Sequence, residues 1–365
     1  MTAHDEVREA LVVAGGRGTR LQPLTFGVPK PLLPFCGQPF LAGVLQRLAR
    51  AGVRRTWLIV GADSTPFREL QDVVDMDLEV VPEPTPLDTA GGVRAVAAQL
   101  DGTVLVLNGD VLTDVDLAAA VSHHRAHRPA ATIVLTRVDD TSSFGVCVRE
   151  GSRIVDFVEK PPPGTLPGQD TVNAGTYVLE PEVLMAHPEG PLSFERDVFP
   201  GVLANGGTLE GVVWNGVWSD LGTPDRWLEG TRLALAGDLD WPTLDRMEVT
   251  GDRVLADAAS VADDAVVRGP VGLDGANVAS GATVGPNTFL GARVGIGAAA
   301  VVTDSVVMEG SEIGDGVVLD RVIVGRNSRI DAGALIGRGA VLGHEQHVVA
   351  GDVLAPDERR PPRTD

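Results

Sequence analysis

The chain is short of cysteine, of long apolar runs and of positive charge, and each shortage removes a class of protein from consideration. Its two cysteines, Cys36 and Cys147, are too few for a disulfide framework or a cysteine-based zinc site, and both read as packing residues. No apolar run approaches the roughly 20 residues that a membrane helix needs. The first eight residues are polar and acidic, unlike the basic start and apolar middle of a secretory signal, so a cytoplasmic location is the expectation. With 30 basic residues against 50 acidic ones, the formal net charge is −20. That balance argues against nucleic acid or an anionic membrane as partner, because such surfaces need clustered cations. It leaves room for a small anionic substrate, since a few placed cations and backbone N–H groups hold phosphates inside an acidic protein. Lysine is nearly absent: only Lys30 and Lys160 interrupt a basic complement that is otherwise arginine. A lysine that survives in such a background points to a place where a compact, rotatable ammonium serves better than a planar guanidinium.

What is present divides into two rhythms. The 365 residues, 44% hydrophobic and 22% charged, suit a folded protein of two domains. From residue 10 to about 235, short buried strands (10–14, 56–60, 78–81, 103–107 and 131–136) alternate with helical patterns (40–51, 92–100 and 117–128). This predicts an α/β fold with a mostly parallel sheet, whose ligands bind beyond the carboxyl ends of the strands. Past residue 250, aliphatic residues recur every six positions: Val278, Val284, Leu290, Ile296 and Val302. After five-residue steps the series resumes at Val307, Ile313 and Leu319, then at Val324, Ile330, Ile336 and Leu342, and Leu255, Val261 and Val267 form a fainter start. This is the hexapeptide repeat of a parallel β-helix, about 18 residues and three hexads to a coil. The predicted organisation is a catalytic domain over 1–238, a linker over 238–252, a β-helix over 253–345 and a polar tail over 346–365.

The strand at 10–14 runs into Gly15-Gly16-Arg17-Gly18-Thr19-Arg20. A glycine turn after a buried strand offers backbone N–H groups to an anion, which is a generic signal. A P-loop would end in Gly-Lys-Ser/Thr, and a dinucleotide fingerprint would have a third glycine where Leu21 stands, so neither fits. The longer string Gly15-Gly16-Arg17-Gly18-Thr19-Arg20-Leu21-Gln22-Pro23-Leu24-Thr25, with Pro29-Lys30-Pro31-Leu32-Leu33-Pro34, closely resembles the signature of the sugar-1-phosphate nucleotidyltransferases. The resemblance extends over about residues 10 to 345. In plan it is closest to bacterial mannose-1-phosphate guanylyltransferases, and it implies a Rossmann-like nucleotidyltransferase domain followed by a left-handed parallel β-helix.

That resemblance implies a set of roles. Gly15, Gly16, Gly18, Thr19, Arg20, Lys30 and Gly109 would hold the nucleoside triphosphate, with Arg20 and Lys30 on the departing pyrophosphate. Asp110, in Asn108-Gly109-Asp110, and Asp220, in Trp218-Ser219-Asp220-Leu221-Gly222, match the family's Mg²⁺ ligands. Lys160 would meet the sugar phosphate and Glu159 the sugar hydroxyls, beside Gly145, Asn173 and Gly175. The loop from Glu83 to Gly92, with Leu87 and Gly91, would read the base, although family members commonly have glycine where this chain has Asp88. Guanine presents two adjacent donors that one carboxylate accepts together, so Glu83 favours GTP over a uracil or thymine nucleotide. The expected reaction is transfer of a nucleotide from GTP to mannose-1-phosphate. Other triphosphates with glucose-1-phosphate or a cyclitol phosphate are the alternatives, as is a regulatory homologue without activity. The β-helix is expected to serve oligomerisation or regulation. His123, His124 and His127 share one helix without a carboxylate between them and read as a solvated face.

Overall fold

The computed structural model describes residues 7–166, 168–256 and 258–361. The chain separates into two compact units: 1–15 with 44–218, and 16–43 with 219–365.

The first unit is built on a nine-stranded sheet. Its order is Asp77–Pro82, Arg55–Val60, Glu9–Val13, Val104–Asn108, Thr171–Leu179, Ala131–Arg137, Leu209–Val213, Arg153–Glu159, Gly145–Glu150. The first four strands are parallel to one another, and Leu209–Val213 is parallel to Ala131–Arg137. The predicted mostly parallel sheet is therefore true of one half only. Thr171–Leu179 runs antiparallel between Val104–Asn108 and Ala131–Arg137, and Arg153–Glu159 pairs antiparallel with Gly145–Glu150. The second of these follows from chain length: the turn at Gly151-Ser152 allows a hairpin but not the long crossover that a parallel pair needs. The burial patterns agree, since Arg55–Val60 and Val104–Asn108 are buried almost throughout while Arg153–Glu159 is largely exposed.

The predicted helices appear at Phe40–Arg50 and Leu117–His127, the latter capped by Asp116, whose carboxylate accepts from the Ala119 N–H at 2.9 Å. Gly91–Val96 is helical and tightens into a 3₁₀ turn at Ala97–Gln99. Leu11, Trp57, Ile133, Tyr177, Phe194 and Phe199 lie in one core of this unit, with Cys147 buried among them.

In the second unit the hexad residues stack as the repeat predicts. Val278 pairs with Ile296 and Leu290 with Val307, so a coil closes every 17 or 18 residues and the five-residue steps mark the shorter coils. The side chains of Val284, Leu290, Val302, Leu319 and Leu342 are fully buried, and the parallel strands fit a β-helix. The faint start is real: Val261 pairs with Val278 and Val267 with Val284. The polar tail predicted from residue 346 is instead more coil. Val348 and Leu354 continue the six-residue step from Leu342 and are buried, and strands recur at Val353–Leu354 and Arg359–Arg360. Residues 362–365 lie outside the described residues.

The predicted linker at 238–252 is packed. Trp241 stacks on Phe40 with ring centroids 5.1 Å apart, and Phe35 meets the edges of both Trp241 and Trp227. Arg246 holds Asp274 through two hydrogen bonds of 2.6 and 2.7 Å and reaches the carbonyl of the buried Cys36.

Candidate active site

The predicted residues fall in both units. In the second unit the signature loop does not lead into a long helix. Two 3₁₀ turns follow instead, Thr19–Leu21 and Lys30–Leu32, anchored by the buried Leu21, Pro23 and Leu24. Gly18 enters the first turn at φ 62°, and a Cβ there would stand 2.8 Å from that of Lys30, so only glycine fits. The Thr25 hydroxyl closes the loop on the Gly18 carbonyl at 3.0 Å, while Gly16 and Thr19 are exposed.

Lys30, on a stretch that could have been a solvated loop, is only 5% exposed. Its Nζ donates to the Asp220 carbonyl at 2.6 Å. Arg20 reaches the Asp220 carboxylate at 3.4 Å, and Arg226 pairs closely with the other oxygen. Gly222 makes this possible, because a Cβ on it would stand 2.5 Å from the Arg20 guanidinium. Burial works against charge on Asp220. The Arg226 hydrogen bond, the Gly222 N–H and the charges of Arg226 and Arg20 outweigh it and hold the carboxyl below its ordinary range. The result is three cations around Asp220, two on its ionised carboxylate and one on its carbonyl.

The loop is also gripped from the far end of the chain. Arg359 donates to the carbonyl of Arg20 at 3.0 Å and to that of Gln22, and His344 lies against the Leu24 carbonyl. Neither contact had a signal in the sequence. The partners are remote in the chain, and the carbonyls they hold carry no residue identity.

In the first unit Gly15 is exposed, beside the Glu83 carboxylate. Gly109 is buried at the carboxyl end of Val104–Asn108, against Val12, Val13 and Ala14, and Asp110 follows it half-buried. Gly175 lies on the Asn108 side chain, where a Cβ would come within 2.4 Å of Nδ2. Asn173 accepts the Gly175 N–H at 2.9 Å and donates to the Tyr177 hydroxyl at 2.7 Å and to Glu195 at 3.4 Å. Glu195 also accepts from the Thr89 hydroxyl at 2.7 Å, so it joins the Asn173 segment to the loop from Glu83 to Gly92. Gly145 pairs with Glu159 across the hairpin. Lys160 is 63% exposed, and its ammonium sits 2.8 Å from Glu159.

Glu83 is buried between the Gly15 and Gly92 positions, and its Oε1 is a buried oxygen without a hydrogen-bond partner. Burial raises its carboxyl above the usual range, against the pull of the Leu87 and Gly92 N–H groups. Leu87 is half-buried, and Gly91 packs on both its side chain and the Gly190 carbonyl. Asp88, where family members commonly have glycine, adopts φ 65° and pairs with Arg196. The left-handed backbone is thus retained with a side chain that tolerates it.

The three histidines are not one solvated face. His124 is 2% exposed, with its ring nitrogens 3.0 Å from the Thr132 hydroxyl and from Glu180. His123 is half-buried and His127 exposed.

Comparison with known proteins finds two matched stretches of the chain. The family model described as nucleotidyl transferase matches residues 9–236, and that described as GMPPB C-terminal domain matches 267–355. A mannose-1-phosphate guanylyltransferase of Mycobacterium tuberculosis is 39% identical over 289 residues, 77% of either chain. A mannose-1-phosphate guanylyltransferase catalytic subunit beta of Danio rerio is 36% identical over 231 residues, 61% of this chain and 63% of that one, a little under two thirds of its length. Among solved structures, HddC from Yersinia pseudotuberculosis complexed with GMP-PN aligns with a TM-score of 0.53 and 25% identity, over 61% of this chain and 98% of that one. No helix among the described residues is long and apolar enough to cross a membrane.

Proposed function

We infer the reaction from the premise that the chain belongs to the nucleotidyl transferase family. The enzyme transfers GMP from GTP to mannose-1-phosphate, giving GDP-mannose and pyrophosphate. An ionised phosphate oxygen of the sugar phosphate attacks the α-phosphorus of GTP in line. One P–O bond forms as the bond to the β-phosphate oxygen breaks, and the electron pair leaves on pyrophosphate. The nucleophile is already an anion, so no general base is needed. Catalysis is then positioning and neutralisation of charge. Arg20 and Lys30 supply that neutralisation to the triphosphate and the leaving group, and Lys160 to the attacking phosphate. Glu159, Gly145, Asn173 and Gly175 line the sugar site.

Asp110 and Asp220 would hold Mg²⁺. Asp220 suits a hard cation, because its surroundings keep it ionised and its ligand atoms are oxygens. When bound, the ion neutralises phosphate charge and helps to orient the triphosphate.

The choice of GTP rests on Glu83. A buried carboxylate oxygen with no partner among the described residues is costly, and a guanine base offering two adjacent donors would relieve that cost. We place the enzyme in the cytoplasm, as a homo-oligomer whose contacts or regulation use a left-handed β-helix. A matrix of triphosphates against sugar-1-phosphates, read by pyrophosphate release, tests the reading. GTP with mannose-1-phosphate is expected to give the highest kcat/KM. A higher value with UTP, dTTP or ATP, or none with any pair, would overturn it.

A further inference from the structure

We propose that His123, His127 and Glu210 form a binding site for a transition-metal dication of the Zn²⁺ type, separate from the carboxylates assigned to Mg²⁺. A ligand atom from each of the three lies within 4.8 Å of the other two. His123 and His127 are one turn apart near the C-terminal end of helix Leu117–His127, and their rings lie side by side with centroids 4.1 Å apart. Such an i, i+4 pair presents two imidazoles to one point in space.

The sequence offered no carboxylate for this pair, and the fold supplies one. Glu210, on strand Leu209–Val213, is 8% exposed and places Oε2 3.2 Å from His123 Nε2.

The surroundings prepare these groups as ligands. His127 Nδ1 lies 2.9 Å from the His123 carbonyl, which can only accept, so Nδ1 carries the proton and Nε2 keeps its lone pair. A backbone carbonyl on the second ring nitrogen is the partner that metal-bound histidines use to set tautomer and orientation. Ser152 makes a side-chain hydrogen bond to Glu210, which orients the carboxylate beside the two rings. Two neutral imidazoles and one carboxylate suit Zn²⁺, and leave a fourth position for water on the side where His127 is exposed. Bound there, the ion would tie the helix to a strand more than 80 residues further along the chain.

The test uses the full chain, stripped with chelator and free of nucleotide, titrated with Zn²⁺ by calorimetry and followed by thermal melting. The wild type is expected to bind one Zn²⁺ per chain with a Kd below about 10 μM and to melt at higher temperature when loaded. His127→Ala changes an exposed side chain, so the stripped variant should melt with the stripped wild type, turn over substrate normally, and bind Zn²⁺ at least about tenfold more weakly. Glu210→Gln should weaken binding likewise. Absence of binding by the wild type, or equal affinity in His127→Ala, would overturn the proposal. Displacement of Zn²⁺ by equimolar Mg²⁺ would do the same, because imidazole ligands discriminate against Mg²⁺.

Discussion

His344 Nε2 lies 2.8 Å from the carbonyl oxygen of Leu24, so a late coil of the β-helix holds the backbone of the signature loop. The other ring nitrogen accepts the Arg326 N–H at 2.9 Å. Together the contacts define a neutral ring with its proton on Nε2. Burial favours that neutral form and takes the imidazole below its usual value, outweighing the Leu24 carbonyl, which favours the charged form.

The pH dependence follows from that direction. The folded pKa lies below the unfolded value of about 6.5, so the unfolded chain takes up the proton first. Stability from neutral His344 is therefore complete above about 6.5 and is lost as the pH falls from there through the folded value. The melting temperature should fall between about pH 7 and pH 5, and His344→Gln should flatten the part of the slope due to this ring. At neutral pH, His344→Ala leaves the Leu24 carbonyl and the Arg326 N–H unpaired and should cost about 1–3 kcal/mol in chemical denaturation. An unchanged slope in His344→Gln would count against the assignment.

Arg359→Ala removes the donor to the Arg20 and Gln22 carbonyls. The chemical groups on Arg20 remain, but the loop that carries them is held less firmly. We expect KM for GTP to rise roughly three- to tenfold, with a smaller change in kcat, because the loss falls on orientation of the triphosphate. Steady-state kinetics with GTP varied will show the split.

Lys30→Arg preserves charge and should still lower kcat/KM by about 100-fold. The ammonium occupies a buried place on the Asp220 carbonyl, and a planar guanidinium has neither the size nor the free rotation for it. Arginine-to-lysine changes at exposed coil positions such as Arg338 should leave turnover unaltered.

Glu83→Gln should lower kcat/KM for GTP by about 10- to 100-fold, since one of two donors on the guanine edge would then face an amide N–H. The same change should raise the relative rate with UTP or dTTP. Competition between GTP and UTP in one assay measures the switch directly.

What the sequence disclosed follows the reach of its signals. The hexad series identified the β-helix because each aliphatic residue repeats one local environment, and even the faint Val261 and Val267 proved to be paired. The same series, continued by Val348 and Leu354, carries the coils past the boundary at 345, where polar neighbours hid it. Lys30, Gly18 and Gly222 were legible as motif positions. Their physical necessity, a buried ammonium and two close approaches, appears only in three dimensions. The antiparallel half of the sheet was missed because a buried strand reads alike in either direction. Glu195, His344 and Arg359 act on groups far away in the chain, and no periodicity marks such pairs.

The grip of Arg359 on Arg20 spans 339 positions of sequence. During synthesis the signature loop leaves the ribosome long before the arginine that secures it. At about 5–20 residues per second the loop waits tens of seconds without that partner. Loop closure over such a distance is entropically demanding, so this contact belongs to a late stage of folding. A nascent chain stalled before residue 359 lacks the donor to the Arg20 and Gln22 carbonyls while every strand of the nine-stranded sheet is already synthesised. Completion of the coil that carries Arg359 would then set when the loop is first secured.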